Sequence, residues 1–142
     1  MNIGILGVGA IGGLIASQLA NQDNNIFCLG STKSNKIIKE NGISLKSNFY
    51  GEKKFFPITN FCKNDSLDYV FLTVKGFNLE RALKDYKNLF SKKTIAISLM
   101  NGIGYQQIIH RYFKQNYIIG SIGLVEVSNN GNNEIIHKSN HK

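Results

Sequence analysis

The chain opens on a short apolar run, Ile3, Ile5 and Leu6, without sustained alternation of apolar and polar positions, and the run stops at Gly7. Such a run predicts a strand buried on both faces, as parallel strands are. Past the glycines, Ile11, Leu14, Ile15 and Leu19 recur at helical spacing, and Ile26 to Leu29 is again short and apolar. Strand, helix and strand in this order complete a βαβ unit of about thirty residues. Ser34 to Asn41 predicts a short helix stopped by Gly42, and Ile43 to Leu45 with Lys54 to Phe56 predicts a small hairpin. Tyr69 to Val74 and Thr94 to Leu99 are β-rich and apolar, whereas Leu79 to Tyr86 and Ile103 to Phe113 have helical patterns. Tyr117 to Ile119 predicts a last parallel strand, and Gly123 to Val127 with Glu134 to His137 predicts two arms around Asn129-Asn130-Gly131. Strands and helices that alternate throughout imply an α/β fold: a Rossmann-type, doubly wound, mostly parallel sheet with helices on both faces.

Composition narrows this to one unit. With 142 residues, 42% hydrophobic and 18% charged, the chain can bury one ordinary core. There is no internal repeat and no Pro-rich or Gly/Ser-rich linker, so residues 1–142 read as a single domain. Ile95 to Met100 is too short for a bilayer, and the N-terminal residues carry no basic start or long apolar segment of an export signal. The expectation is a cytoplasmic protein with no membrane contact. Cys28 and Cys62 have no CxxC spacing, and His110, His137 and His141 stand apart in a helix, a strand and the tail. No metal site is expected, and Cys28 in its apolar run reads as a small buried hydrophobe.

The formal net charge of +8 would suit nucleic acid, a membrane surface or a small anion. The lysines are scattered along helix ends and loops with no tract of five, which is the distribution of a solvated surface and shows no basic stripe for nucleic acid. Lys33 and Lys75 are the two that lie where a phosphate is expected on independent grounds.

Those grounds begin with Gly7-Val8-Gly9-Ala10-Ile11-Gly12, which matches G-x-G-x-x-G between a strand and a helix. The first glycine permits the tight turn, the second lets the backbone approach a pyrophosphate, and the third lets helix and strand pack closely. Free backbone N–H groups and the positive helix end then face the phosphates. Sites that prefer NAD place Asp or Glu about twenty residues on, at the end of the second strand. Here that strand is followed by Gly30-Ser31-Thr32-Lys33, hydroxyls and a cation suited to the 2′-phosphate of NADP. Two more positions fall at C-terminal ends of predicted strands, where open parallel sheets gather ligands. Lys75 either meets the adenosine end of the cofactor or caps its strand. Asn101, before Gly102, either bonds a nicotinamide ribose and a substrate oxygen or simply forms an Asn-Gly turn.

Taken together, Gly7-x-Gly9-x-x-Gly12 at the start, Thr73-Val74-Lys75 and Asn101-Gly102-Ile103-Gly104 resemble the N-terminal domain of the ketopantoate reductase (2-dehydropantoate 2-reductase) family, over nearly the whole chain. The segment from Gly120 to Gly131 and Glu134 to His137 resembles that family's last strands before its interdomain connection. The resemblance implies that Gly7 to Gly12 bind the NADPH pyrophosphate, that Lys75 contacts the cofactor, and that Asn101 touches cofactor and substrate. Where the family carries an arginine for the 2′-phosphate this chain has Ser31, with Thr32 and Lys33 as neighbouring substitutes, and a later cofactor contact falls on Glu126. The family continues into a helical domain that holds its catalytic lysine, so no catalytic residue is expected here. The implied activity is hydride transfer from NADPH to a small 2-keto acid in pantothenate synthesis, with this chain inactive alone and open to a separate helical domain or self-association. A non-catalytic nucleotide-binding module would use the same turn.

Overall fold

The computed structural model describes residues 1–20, 23–102 and 104–139; Ile103 and His141 lie outside them. Among the described residues, strands and helices succeed one another largely in the expected order, with nine strands and four α-helices. Strand β1 (Asn2–Leu6) leads through the glycine turn into helix α1 (Ala10–Leu19), followed by β2 (Asn25–Leu29) and α2 (Thr32–Asn41). Strands β3 (Ile43–Ser47) and β4 (Gly51–Phe55) form the expected antiparallel hairpin. Next come β5 (Leu67–Leu72), α3 (Leu79–Tyr86), β6 (Phe90–Ser98), α4 (Gln106–Phe113), β7 (Tyr117–Ile119), β8 (Val127–Asn129) and β9 (Glu134–His137).

The main sheet has strand order β2-β1-β5-β6-β7, and all its pairs are parallel. Its strands are buried on both faces because their side chains alternate between two clusters. Leu6, Phe27, Leu29, Val70 and Leu72 face Leu79 and Leu83 of α3 and Ile109 and Phe113 of α4. Ile3, Ile5, Ile26 and Cys28 face Ala16 of α1 and Ile38 of α2. Period two on the strands and a buried stripe on each helix are thus one pattern seen from both sides.

A second sheet, of order β4-β3-β9-β8, was not implied by the sequence pattern. The hairpin and the C-terminal arms read as separate local features, yet β3 pairs in parallel with β9 from Ser44–Glu134 to Ser47–His137. That sheet covers α1, whose far side meets Ile43, Leu45 and Ile135. Helix α1 therefore lies between two sheets and buries Gly12, Gly13, Ala16 and Ser17. His137 is buried within the second sheet and shares a hydrogen bond with Ser47 Oγ through Nδ1 at 2.8 Å. Ser47 Oγ also accepts the amides of Phe49 and Tyr50.

Several boundaries differ from expectation. β6 begins at Phe90 rather than Thr94, and β5 ends at Leu72, leaving Thr73 and Val74 free for the turn described below. The first C-terminal arm is strand over Val127–Asn129 alone. Helix α4 starts at Gln106. No helix among the described residues is long and apolar enough to cross a membrane, and no group of three or more His, Cys, Asp or Glu side chains is assembled among them.

Cys28 is fully buried, and desolvation pushes its thiol up to about 12, while Cys62 is exposed. An aromatic disulfide reagent at pH 8 is expected to label Cys62 rapidly in the folded protein and Cys28 only after denaturation, because the thiolate is the reactive form. Equal labelling rates in the native state would show that the β2 face is not packed as described.

Candidate nucleotide-binding site

The turn after β1 is shaped by close approach. Gly7 has φ +98°, a conformation that costs a residue with Cβ more than glycine, and a Cβ there would come within 2.9 Å of the Val74 backbone. At Gly12 a Cβ would lie 2.1 Å from the Gly7 carbonyl oxygen and 2.7 Å from Thr73 Oγ1. Thr73 holds the turn from the neighbouring strand: its hydroxyl donates to the Gly7 carbonyl at 2.7 Å, and its amide donates to Leu6 at 2.9 Å. The Gly7 amide reaches the Leu29 carbonyl at 3.3 Å, so the ends of β1, β2 and β5 are joined at this point.

Gly9 differs from both: it is exposed, its backbone is extended, and a Cβ would meet nothing within 4 Å. It is the N-cap of α1, with no side-chain cap and no acidic residue in the first turn. The first amides of a helix lack intrahelical acceptors, and the helix end carries partial positive charge. A helix start that is open on its outer side, uncapped and free of carboxylates fits an anion.

The turn opens into a groove of about 1020 Å³. One wall is the β2–α2 junction, with Gly30, Ser31, Thr32 and Lys33 continuing to Lys36 and Lys39 along α2. The other wall is α3, with Asn78, Arg81, Ala82 and Asp85. Leu29, Val74 and Tyr86 close the floor, and Thr59 and Asn60 complete the rim. Those last two are placed by Ile58, which bonds to Ile26 and Cys28 along the outer edge of β2. Lys33, Lys36, Lys39 and Arg81 face one carboxylate in the lining, Asp85, so the groove is cationic.

Of the residues singled out in the sequence, Gly7, Val8, Gly9, Ser31, Thr32 and Lys33 line this groove, and Ala10, Ile11 and Gly12 form the helix start beside it. Ser31 has a structural task as well: as the N-cap of α2 its hydroxyl accepts the Ser34 amide at 3.2 Å. Lys75 and Asn101 are both exposed and lie outside the groove lining, beyond the C-terminal ends of adjacent strands β5 and β6. Tyr105 connects the two segments. Its ring packs where Gly76 would carry a Cβ, 1.9 Å from the phenol oxygen, and also lies against Gly102, 3.3 Å from its equivalent position. Glu126 is elsewhere: it is exposed before β8, with its carboxylate 3.8 Å from Lys138 Nζ.

Sequence reasoning missed Lys36, Lys39, Arg81, Asn35 and Tyr86. The first two repeat Lys33 at helical spacing, a signal present in the chain. Arg81 and Tyr86 lie on α3, and only the fold brings them opposite α2. The Tyr86 hydroxyl donates to the Gly30 carbonyl, and burial raises its pKa above the usual phenol value, so the donated proton is retained.

The two outer glycines predict opposite results. Gly12→Ala forces a Cβ onto a backbone carbonyl and is expected to cost roughly 1–3 kcal/mol. Gly9→Asp places a good N-cap in open space and is expected to leave the thermal midpoint unchanged or slightly raised. Thermal unfolding of both variants checks this; equal destabilisation would mean that Gly9 is not open.

Comparison with known proteins agrees with this architecture. The family model for ketopantoate reductase PanE/ApbA matches residues 3–142. The 2-dehydropantoate 2-reductase of Lactococcus lactis is 30% identical over 124 residues, covering 83% of this chain and 39% of that protein. That of Pyrococcus horikoshii is 30% identical over 109 residues, covering 77% and 36%. The chain thus spans about two fifths of the length of these curated relatives. Among solved structures, a D-mandelate dehydrogenase with NADH and anilino(oxo)acetate superposes with TM-score 0.84 at 29% identity, covering 96% of this chain and 45% of that one. The 2-dehydropantoate 2-reductase of Methylococcus capsulatus superposes with TM-score 0.79 at 22% identity over 98% and 46%, a likeness of fold alone. With a family model matched from Ile3 onward and a glycine turn built as that fold requires, the chain belongs to the ketopantoate reductase PanE/ApbA family.

Proposed function

We propose that this chain is the NADP-binding half of a 2-dehydropantoate 2-reductase-like oxidoreductase, working in pantothenate biosynthesis in the cytoplasm and inactive without a helical domain. The observation that carries the reading is one continuous groove that begins at an uncapped helix start and runs between the cations of α2 and α3. Gly7 to Gly12 hold the pyrophosphate, and the adenosine rests on Leu29 and Val74 of the floor, beside Ala82 of the α3 wall. Ser31, Thr32 and Lys33 receive the 2′-phosphate, reinforced by Lys36 and Arg81, which stand in for the family's arginine. Lys75 contacts the cofactor from beyond the end of β5, and Asn101 bonds both the cofactor and the 2-keto acid.

When bound, a reduced nicotinamide cofactor would supply the hydride for the keto carbon. This chain's residues bind and orient it, and the general acid comes from the helical domain. Phe77 and Ile118 are largely exposed apolar side chains, which supports a covering partner, whether that domain or a second copy. The D-mandelate dehydrogenase neighbour holds NADH, so cofactor preference is the sharper question.

Calorimetric titration of the purified chain tests the reading. NADPH is expected to bind about 10–100-fold more tightly than NADH, the contribution of one or two charge-assisted hydrogen bonds. That advantage should shrink as salt rises from 0.05 to 0.5 M, both figures being on the order of conditions that shorten the screening length from well above to well below 10 Å. Gly9→Asp, whose side chain enters open space, is expected to fold and to abolish binding of both cofactors by putting a carboxylate at the phosphate position. Binding of neither cofactor by the unmodified chain refutes the proposal. Cofactor binding without ketopantoate reduction, even with the helical domain of a relative supplied, would identify a non-catalytic nucleotide-binding module instead.

A further inference from the structure

Gly30 ends β2 at the point where the groove's first wall begins, and both of its backbone groups are held by side chains. Its amide donates to Asn35 Oδ1 at 3.0 Å, and its carbonyl accepts the Tyr86 hydroxyl. Asn35 Nδ2 in turn donates to the Tyr86 oxygen at 3.2 Å. The ring so formed links the β2–α2 junction to the last residue of α3, across the bottom of the groove. Tyr86 is itself fixed: its ring stands edge-on to Phe61 at 5.6 Å, and Phe61 stacks on Phe27 of β2 at 6.1 Å.

We propose that Tyr86 and Asn35 are positioning residues for cofactor selectivity: by clamping Gly30 they set the spacing between Ser31–Lys33 on one wall and Arg81 on the other. The inference rests on the nucleotide-binding reading above and names the device behind its preference. The pyrophosphate is held at the glycine turn, which Thr73 fixes without help from α3. The 2′-phosphate, by contrast, needs donors from both walls at once, and two point contacts across a gap are sensitive to its width. Loosening the clamp therefore weakens NADPH and leaves NADH nearly untouched. The functional groups concerned are Ser31, Thr32, Lys33 and Arg81; Tyr86 and Asn35 act through them.

The test measures dissociation constants of the full 142-residue chain for NADPH and NADH in Tyr86→Phe, Asn35→Ala and the double variant. Tyr86→Phe keeps the ring against Phe61 and removes the hydroxyl. NADPH binding is expected to weaken about tenfold, the size of one net hydrogen bond, with NADH changed less than about threefold. Asn35→Ala should shift the ratio in the same direction and speed hydrogen exchange at the Gly30 amide in the free protein. The double variant should move the ratio by less than the product of the single changes, since both act on one network. A merely structural role would lower the thermal midpoint and weaken both cofactors alike, and that result overturns the inference. So does an unchanged ratio in both single variants. Should Tyr86→Phe fail to fold, Asn35→Ala decides by the same ratio. An unmodified chain that binds neither cofactor is a separate result: it defeats the nucleotide reading and the inference with it.

Discussion

The contact between Gly12 and the Gly7 carbonyl is the constraint on which the rest of the molecule depends. Helix α1 starts within van der Waals reach of the strand end that precedes it, because there is no Cβ to separate them. A methyl at that point would sit on a carbonyl oxygen with no rotamer to escape into, unlike a clash with a flexible side chain. The approach fixes where the first turn of α1 emerges, and so where its amides and positive end are directed. Thr73 makes the arrangement cooperative. Its hydroxyl uses its one proton on the Gly7 carbonyl, so the turn is clamped from β5 as well as from α1. That is the physical reason β5 ends at Leu72: Thr73 and Val74 complete the turn rather than extend the strand.

From this point the layering follows. A helix held so close to the sheet buries one side against Ile3 and Ile5, and small residues at Gly13 and Ser17 leave room on the other side. A cover is then required, since that second side would expose apolar surface. The sheet of β3, β4, β8 and β9 supplies it, with Ile135 seated on Gly13. Ser17 fits between because its hydroxyl returns its hydrogen bond to the Gly13 carbonyl at 2.7 Å.

The elements that local chemistry determines were legible in the sequence. The βαβ unit, the hairpin over Ile43 to Leu45, helix Leu79 to Tyr86 and strand Tyr117 to Ile119 each carry their own periodicity or turn residues, and they form where that pattern places them. The glycine turn was legible because each glycine answers a separate backbone requirement. What could not be read was pairing at a distance. Ser44 to Ser47 and Glu134 to His137 have nothing in common locally, and their parallel register is set by the α1 surface both must cover. The groove divides the same way. Ser31 to Lys33 were visible beside β2, whereas Arg81 and Tyr86 carry no motif and become groove residues only because α3 packs opposite α2. Thr73 was quoted within a motif, but its role as a clamp depended on three-dimensional proximity to Gly7.

The cation on the far wall illustrates how weak surface interactions leave a site available. Arg81 Nε lies 3.9 Å from Asp85, and both side chains are well exposed. An i,i+4 pair of this kind contributes about 0.3–0.5 kcal/mol, because water screens it and two long side chains must be ordered to form it. A phosphate offers the same guanidinium two parallel charge-assisted bonds, each worth roughly 1.5–3 kcal/mol net. The phosphate wins by a margin larger than the pair it displaces. Asp85, the one carboxylate in the lining, would disfavour an anion beside it and favour one nearer Lys33 and Lys36 on the opposite wall. Had Arg81 instead been locked in a buried pair, breaking it would have cost several kcal/mol, and the groove would have presented a neutral wall. Its exposed, loosely engaged state keeps the charge available to a ligand without weakening the fold.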